Sequence, residues 1–214
     1  MQINESKTNV ILFNRSKKFD FAPNLKIGDS GPLNVVEEVK ILGMKIRSDL
    51  SWSSNTKMMC GKAYSRLWIL RRLKLLGVNQ MDMLDVYEKQ IRCIVEFGSP
   101  VWTGGLTKSE VSQIERVQKA AFAIILGYQY TSYTDACKLL SRGTLENRRA
   151  EINLKFARKC YASERFNHWF QKNSSTCSME TRSKKSVLAP VQSRTKSFEK
   201  SPISYLTQLL RKES

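Results

Sequence analysis

Apolar positions along this chain change their period at about residue 50. Before that point they come in short runs suited to strands. Val10 to Phe13 is such a run, and the polar stretch Asn14 to Lys18 ends it. Asn24 to Gly28 reads as a second strand, closed by Gly28-Asp-Ser-Gly-Pro32, a strong turn signal. In Val35 to Ile46, the set Val39, Ile41, Gly43 and Lys45 alternates with Lys40, Leu42, Met44 and Ile46. One face is almost wholly apolar, which predicts a strand or hairpin with one side packed on a core.

From Trp52 the period lengthens to that of a helix. Residues 55 to 76 contain no proline, and on a wheel of about 100° per residue Met59, Ala63, Leu67 and Leu70 fall together. Tyr64, Trp68 and Leu75 fall roughly opposite, so the pattern predicts a helix packed on two sides. Its basic residues Lys57, Lys62, Arg66, Arg71, Arg72 and Lys74 form no single stripe. Asn79 is placed to cap a second helix carrying Leu84, Tyr87, Ile91, Ile94 and Val95. Phe97-Gly98-Ser99-Pro100 ends it, because a residue before proline is driven out of the helical region. Thr107-Lys-Ser-Glu110 is a capping box leading into Ile114, Val117, Ala121 and Ile125, with Gly127 as the stop. A shorter helix covers about 132 to 141, and a long one runs from after Thr144 to about Phe170. Residues 171 to 202 crowd polar and basic side chains, which predicts a solvated, disordered tail. Ile203 to Arg211 adds one weakly anchored turn of helix. The expected fold class is α+β, mainly α: a small strand region over 1–50, a helical bundle over 51–170 and a basic, largely disordered tail over 171–214.

Charge adds a class of partner. Thirty-six Lys and Arg against nineteen Asp and Glu give a net charge of +17. The surplus lies in residues 51–170, with 19 basic and 10 acidic, and in 171–214, with 9 and 3. Such an excess favours a polyanion, most commonly nucleic acid. An acidic membrane surface would want a basic amphipathic helix with a clean apolar face. The longest apolar run, Ala120 to Leu126, is far too short to span a bilayer, and the first residues carry no apolar signal core. An intracellular protein, cytoplasmic or nuclear, with no membrane partner is expected. Five scattered cysteines without a Cys-x-x-Cys argue against a disulfide framework. Cys160, His168 and Cys177 are spaced too widely, and lack a fourth ligand, for zinc.

Several islands resemble the region downstream of the catalytic loop in non-LTR retrotransposon (LINE and Jockey-type) reverse transcriptases. Asn4-Glu-Ser-Lys7-Thr8 before the Val10 strand is similar to their motif D. Val39-Lys-Ile-Leu42-Gly43-Met44-Lys-Ile46 resembles the primer-grip hairpin, and Asp49-Leu-Ser-Trp52 follows it as the family's Leu-x-Trp does. Tyr87 with Phe97-Gly98-Ser-Pro-Val-Trp102 resembles the thumb signature. Ile114-Glu-Arg-Val-Gln118 through Ile125-Leu-Gly127, then Thr144-Leu-Glu-Asn-Arg148-Arg149, resemble two further thumb motifs. The six islands stand in family order over about residues 4 to 170.

The resemblance implies a palm remnant followed by a helical thumb, holding RNA–DNA or DNA template-primer duplex and partnered by the remaining palm and fingers. It does not imply activity for this chain alone. Polymerisation needs clustered carboxylates holding two metal ions, and the sequence contains no Asp-Asp pair. No cofactor is therefore expected here; Mg²⁺ belongs to an intact polymerase. Asp82 and Asp85 suit a helix start, and Glu37 and Glu38 point to opposite faces of a strand. By resemblance Lys7 would lie near the incoming nucleotide's phosphates, and Leu42, Gly43 and Met44 would form the primer grip, although Ile41 stands where the family usually has Tyr. Lys57, Lys62, Arg66, Arg71, Arg72, Arg148 and Arg149 are the candidates for phosphate contact. Salt bridges to Glu146 or Glu151 are the duller role for the last two. Trp52, Trp68 and Trp102 can stack on bases, but core anchoring suits their apolar company better. Two other readings stay open: a non-enzymatic basic helical nucleic-acid binder, and a retroelement relic without function.

Overall fold

The strands are short and pair two by two, in two separate two-stranded sheets. The computed structural model describes residues 8–13, 25–26, 31–172, 188–193 and 195–213. Lys7, Cys177 and the Lys184-Lys185 pair lie outside them. The chain divides into two units, Met1–Met58 and Met59–Ser214.

In the first unit, β1 (Asn9–Val10) runs parallel to β2 (Asn34–Val35). Next, β3 (Glu38–Ile41) and β4 (Met44–Arg47) form an antiparallel hairpin, Val39 opposite Ile46 and Ile41 opposite Met44. Directly opposed residues share a face. Val39, Ile41, Met44 and Ile46 therefore lie on one side, and Glu38, Lys40, Lys45 and Arg47 on the other. The hairpin alternative holds, and its turn regroups the two alternating sets, because it carries the apolar positions of both limbs to one face. That face is not sealed: Ile41 is 47% exposed. On the polar face Lys45 Nζ donates to Glu38 Oε1 at 2.5 Å. That bond, with a second from Ser54, holds the Glu38 carboxyl below its ordinary range. Of the expected strand at Asn24–Gly28, Leu25 and Lys26 are described and carry no strand; the rest lies outside the described residues.

The long helix α1 (Ser53–Leu75) leads into the second unit. There α2 (Gln80–Tyr87), a π-helical turn (Glu88–Arg92) and α3 (Cys93–Glu96) follow one another in helical conformation. Gly98, left-handed at φ 65°, turns the chain into the short α4 (Ser99–Trp102) and a 3-10 turn, Thr103–Gly105. Then come α5 (Lys108–Leu126), α6 (Tyr133–Leu139) and α7 (Leu145–Ala162). The helix starts expected from Asn79, Thr107 and Thr144 are present. Each side-chain oxygen accepts the backbone N–H three residues on, and Glu110 reaches back to Thr107 N–H at 2.7 Å to complete the capping box.

The main core gathers Met59, Ala63, Leu67 and Leu70 of α1 with Leu84, Tyr87, Ile91 and Val95, and with Ile114, Val117, Ala121, Phe122 and Ile125 of α5. Each such Leu, Ile or Phe stabilises the fold by about 1.5–3 kcal/mol over leaving it in water. A polar chain threads the core. Tyr87 Oη donates to Gln118 Oε1 at 2.7 Å, and Gln118 Nε2 donates to Tyr133 Oη and to the Gly143 carbonyl, both at 2.9 Å. Tyr133 in turn donates to Glu115, whose carboxylate also accepts the N–H of Glu146 at 2.6 Å at the start of α7.

Two C-terminal expectations are corrected. Helix α7 stops at Ala162 rather than near Phe170, because Ser163 is extended and the 3-10 turn Asn167–Trp169 brings Phe170 back, edge-on to Tyr161 at 5.9 Å. The tail is not solvated throughout either. After α8 (Lys196–Glu199), α9 (Pro202–Glu213) forms three turns, and Leu206 and Leu210 join Ala157, Cys160, Phe170 and Leu188 in a second core cluster. An Arg158–Glu213 ion pair ties α9 to α7 at the surface.

Candidate nucleic-acid interface

Helix α1 holds the charge. Its 23 residues carry six basic side chains and no acidic one, so nothing within the helix neutralises them. Lys57, Lys62, Arg66, Arg71 and Arg72 are all exposed. They are not equivalent. Arg66 Nη1 donates to the Gln90 carbonyl at 3.0 Å, bridging to the π-helical turn. Lys74 Nζ donates to the carbonyls of Ile124 and Ile125, at 2.6 and 3.0 Å, where α5 ends with unpaired acceptors. That role escaped sequence reasoning, because it joins residues fifty positions apart. The side chains of Lys57, Lys62, Arg71 and Arg72 have no hydrogen-bond or ion-pair partner among the described residues, and they are the cations open to a phosphate.

The two-sided packing expected of α1 is corrected. Met59, Ala63, Leu67 and Leu70 are buried, but the opposite arc faces solvent: Tyr64 is 40% exposed, Trp68 61% and Leu75 81%. Trp68 is therefore no core anchor. Trp102 is one, fully buried with its indole N–H donating to the Phe97 carbonyl at 2.9 Å.

The two arginines opening α7 part company. Arg148 pairs with Glu96 at 3.2 Å, not with Glu146 or Glu151. Arg149 is only 1% exposed, with its guanidinium 6.0 Å from the Trp102 ring centre. Its burial withdraws it from any external phosphate and lowers its pKa. Burial likewise pushes the nearby Cys60 thiol up to about 11, against a lowering pull from Arg149.

Beside Arg148 lies a cleft of about 310 Å³ lined by Glu88, Arg92, Arg142, Asn147 and Glu151 among others. Its arginines are already paired: Arg92 and Arg142 each meet Glu88 at 2.6 Å, and Arg92 also lies 3.5 Å from Glu96. The cleft is an ion-pair network rather than a free anion site.

At the primer-grip-like position, Leu42 and Gly43 form the hairpin tip with φ of 47° and 87°. Leu42 is 84% exposed, whereas Met44 lies within β4 and is half-buried. Among the described residues no group of His, Cys, Asp and Glu could hold a metal ion, and no helix is long and apolar enough to cross a membrane. Asp82 and Asp85 serve local bonds, to Asn79 and to Lys89. No protein-family model, curated protein or solved structure matches the chain.

Proposed function

We propose that this chain is the palm end and thumb of a non-LTR retrotransposon reverse transcriptase, a part that holds template-primer nucleic acid and does not polymerise by itself. The observation that carries the nucleic-acid reading is α1: six cations over 23 residues, none opposed by an acidic side chain on the helix. A cation that already has a carboxylate partner gains little from a phosphate, whereas a free one releases condensed counterions when it binds. Lys62, Arg71 and Arg72 are in the second state. Contacts of this kind position a backbone without reading sequence, which is what a thumb requires of its duplex.

A second reading is favoured by the interior. Tyr87, Trp102, Gln118 and Arg149, which carry much of the family resemblance, are core residues, and a basic helical nucleic-acid binder with no polymerase role needs the same bundle. Titrating the chain with RNA–DNA hybrid and with duplex DNA over a range of salt separates the readings. Log affinity is expected to fall with log salt by about 0.9 per phosphate neutralised. Removing Arg71 or Arg72 should lower the slope by about 1 each. Preference for the hybrid supports the polymerase reading, and equal binding favours the second. Salt-independent or absent binding overturns both, and templated extension with Mg²⁺ by pure protein overturns the claim that the chain cannot polymerise alone.

A further inference from the structure

The exposed arc of α1 mixes two chemistries that a phosphate-only surface does not need. At about 100° per residue, Tyr64, Trp68, Arg71, Arg72 and Leu75 fall within roughly 100° of one another, and the three apolar members are 40%, 61% and 81% exposed. Tyr64 and Trp68 stand one helical turn apart, side by side on the helix surface. Arg71 and Arg72 follow one turn beyond Trp68, without partners among the described residues. Burial raises the Tyr64 phenol above its ordinary range, and the exposed Arg116 of α5 opposes that rise electrostatically.

An occupant of this arc must satisfy both chemistries at once. An apolar protein helix would cover the rings but trap Arg71 and Arg72 without counter-charge, which is costly. A nucleic-acid duplex would neutralise the arginines, but its base faces are stacked inside and leave the rings in water. An acidic membrane wants a clean apolar stripe, and here arginines interrupt it. An unpaired strand offers exposed base faces for Tyr64 and Trp68 together with phosphates for Arg71, Arg72 and Arg116.

We infer that this arc is a stacking platform for single-stranded nucleic acid, such as the unpaired template beside a held duplex. The inference rests on the nucleic-acid reading and adds a second binding mode to it. Trp68 projects into solvent, so replacing it leaves the core intact.

The test is fluorescence anisotropy with the full chain, using a labelled oligothymidylate and a labelled hairpin duplex. Trp68→Ala should weaken the single strand about tenfold while changing the duplex by less than about twofold. Trp68→Phe should retain most of the single-strand affinity. Equal weakening of both probes, or unchanged oligothymidylate binding in Trp68→Ala, overturns the platform while leaving the duplex-holding role standing. Failure of the parent chain to bind either probe sinks the nucleic-acid reading itself. A Trp68-dependent interaction seen only with anionic vesicles, or only as self-association, reassigns the arc and overturns the proposal.

Discussion

Arg149 is a full guanidinium with almost no water around it, and its Nε and Nη1 have no hydrogen-bond partner among the described residues. A buried ion with incomplete pairing loses more on leaving water than it regains. Glu115 and Glu146 offset part of that loss at longer range. Replacing Arg149 with methionine, which fills similar volume without a charge, is expected to stabilise the protein by about 1 kcal/mol or more. Arg149→Ala should instead destabilise it by opening a cavity under Trp102. Thermal unfolding of the two variants checks this; a methionine variant that melts well below the parent would mean that the guanidinium holds the bundle together. The sequence announced residues whose chemistry is local. Asn79, Thr107 and Thr144 cap helices through bonds three residues long. Arg149 looked like a surface cation because its enclosure depends on Trp102, 47 residues earlier in the chain.

Helices were legible by period and caps, and less so by partner. The buried arc of α1 was read correctly from Met59, Ala63, Leu67 and Leu70, but its second apolar arc suggested packing that does not occur. Periodicity counts apolar side chains and is blind to what lies beyond them. The π-helical turn at Glu88–Arg92 was not legible in the pattern, because its extra residue shows only as four-residue steps, Tyr87 to Ile91 to Val95, which an ordinary helix also allows. The corner that receives α9 shows a further limit. A Cβ on Gly104 would come within 2.6 Å of Tyr205 Cβ and 3.2 Å of the Lys200 carbonyl oxygen, neither of which is a flexible tip. Gly104→Ala should therefore push α9 from its seat and cost about 1–3 kcal/mol. Gly61→Ala, where nothing lies within 4 Å, should stabilise α1 by up to about 1 kcal/mol. Equal melting temperatures for the two alanine variants would refute the close approach.

For the molecule as a whole, burial is uneven. Every fully buried apolar side chain among the described residues lies at or after Met59; in the first unit only Asn55 and Thr56 are buried, and both are polar. Local opening costs little where few apolar contacts must break. Hydrogen exchange is expected to run faster at the hairpin amides of β3 and β4 than in the middle of α5 by orders of magnitude. Comparable protection in both would show that the hairpin shares the core's stability. Much of the architecture followed from sequence, since a change of hydrophobic period is visible in one dimension. The candidate interface was half legible: Lys62, Arg71 and Arg72 are exposed, whereas Arg149 is buried and Arg66 and Arg148 are already bonded within the fold. Charge composition could not separate these groups, because it counts cations without their partners.

Lys74 carries the last consequence. Its ammonium ends α5 by holding two carbonyls, so acetylation there would do more than erase a positive charge. It would leave one amide N–H where the ammonium offered three, too few to hold both carbonyls, and so loosen the joint between α1 and α5, while the same modification at Lys62 would leave the interior untouched. Two lysines on one helix thus give a modifying enzyme two different outcomes, one a change of surface charge and the other a change of shape.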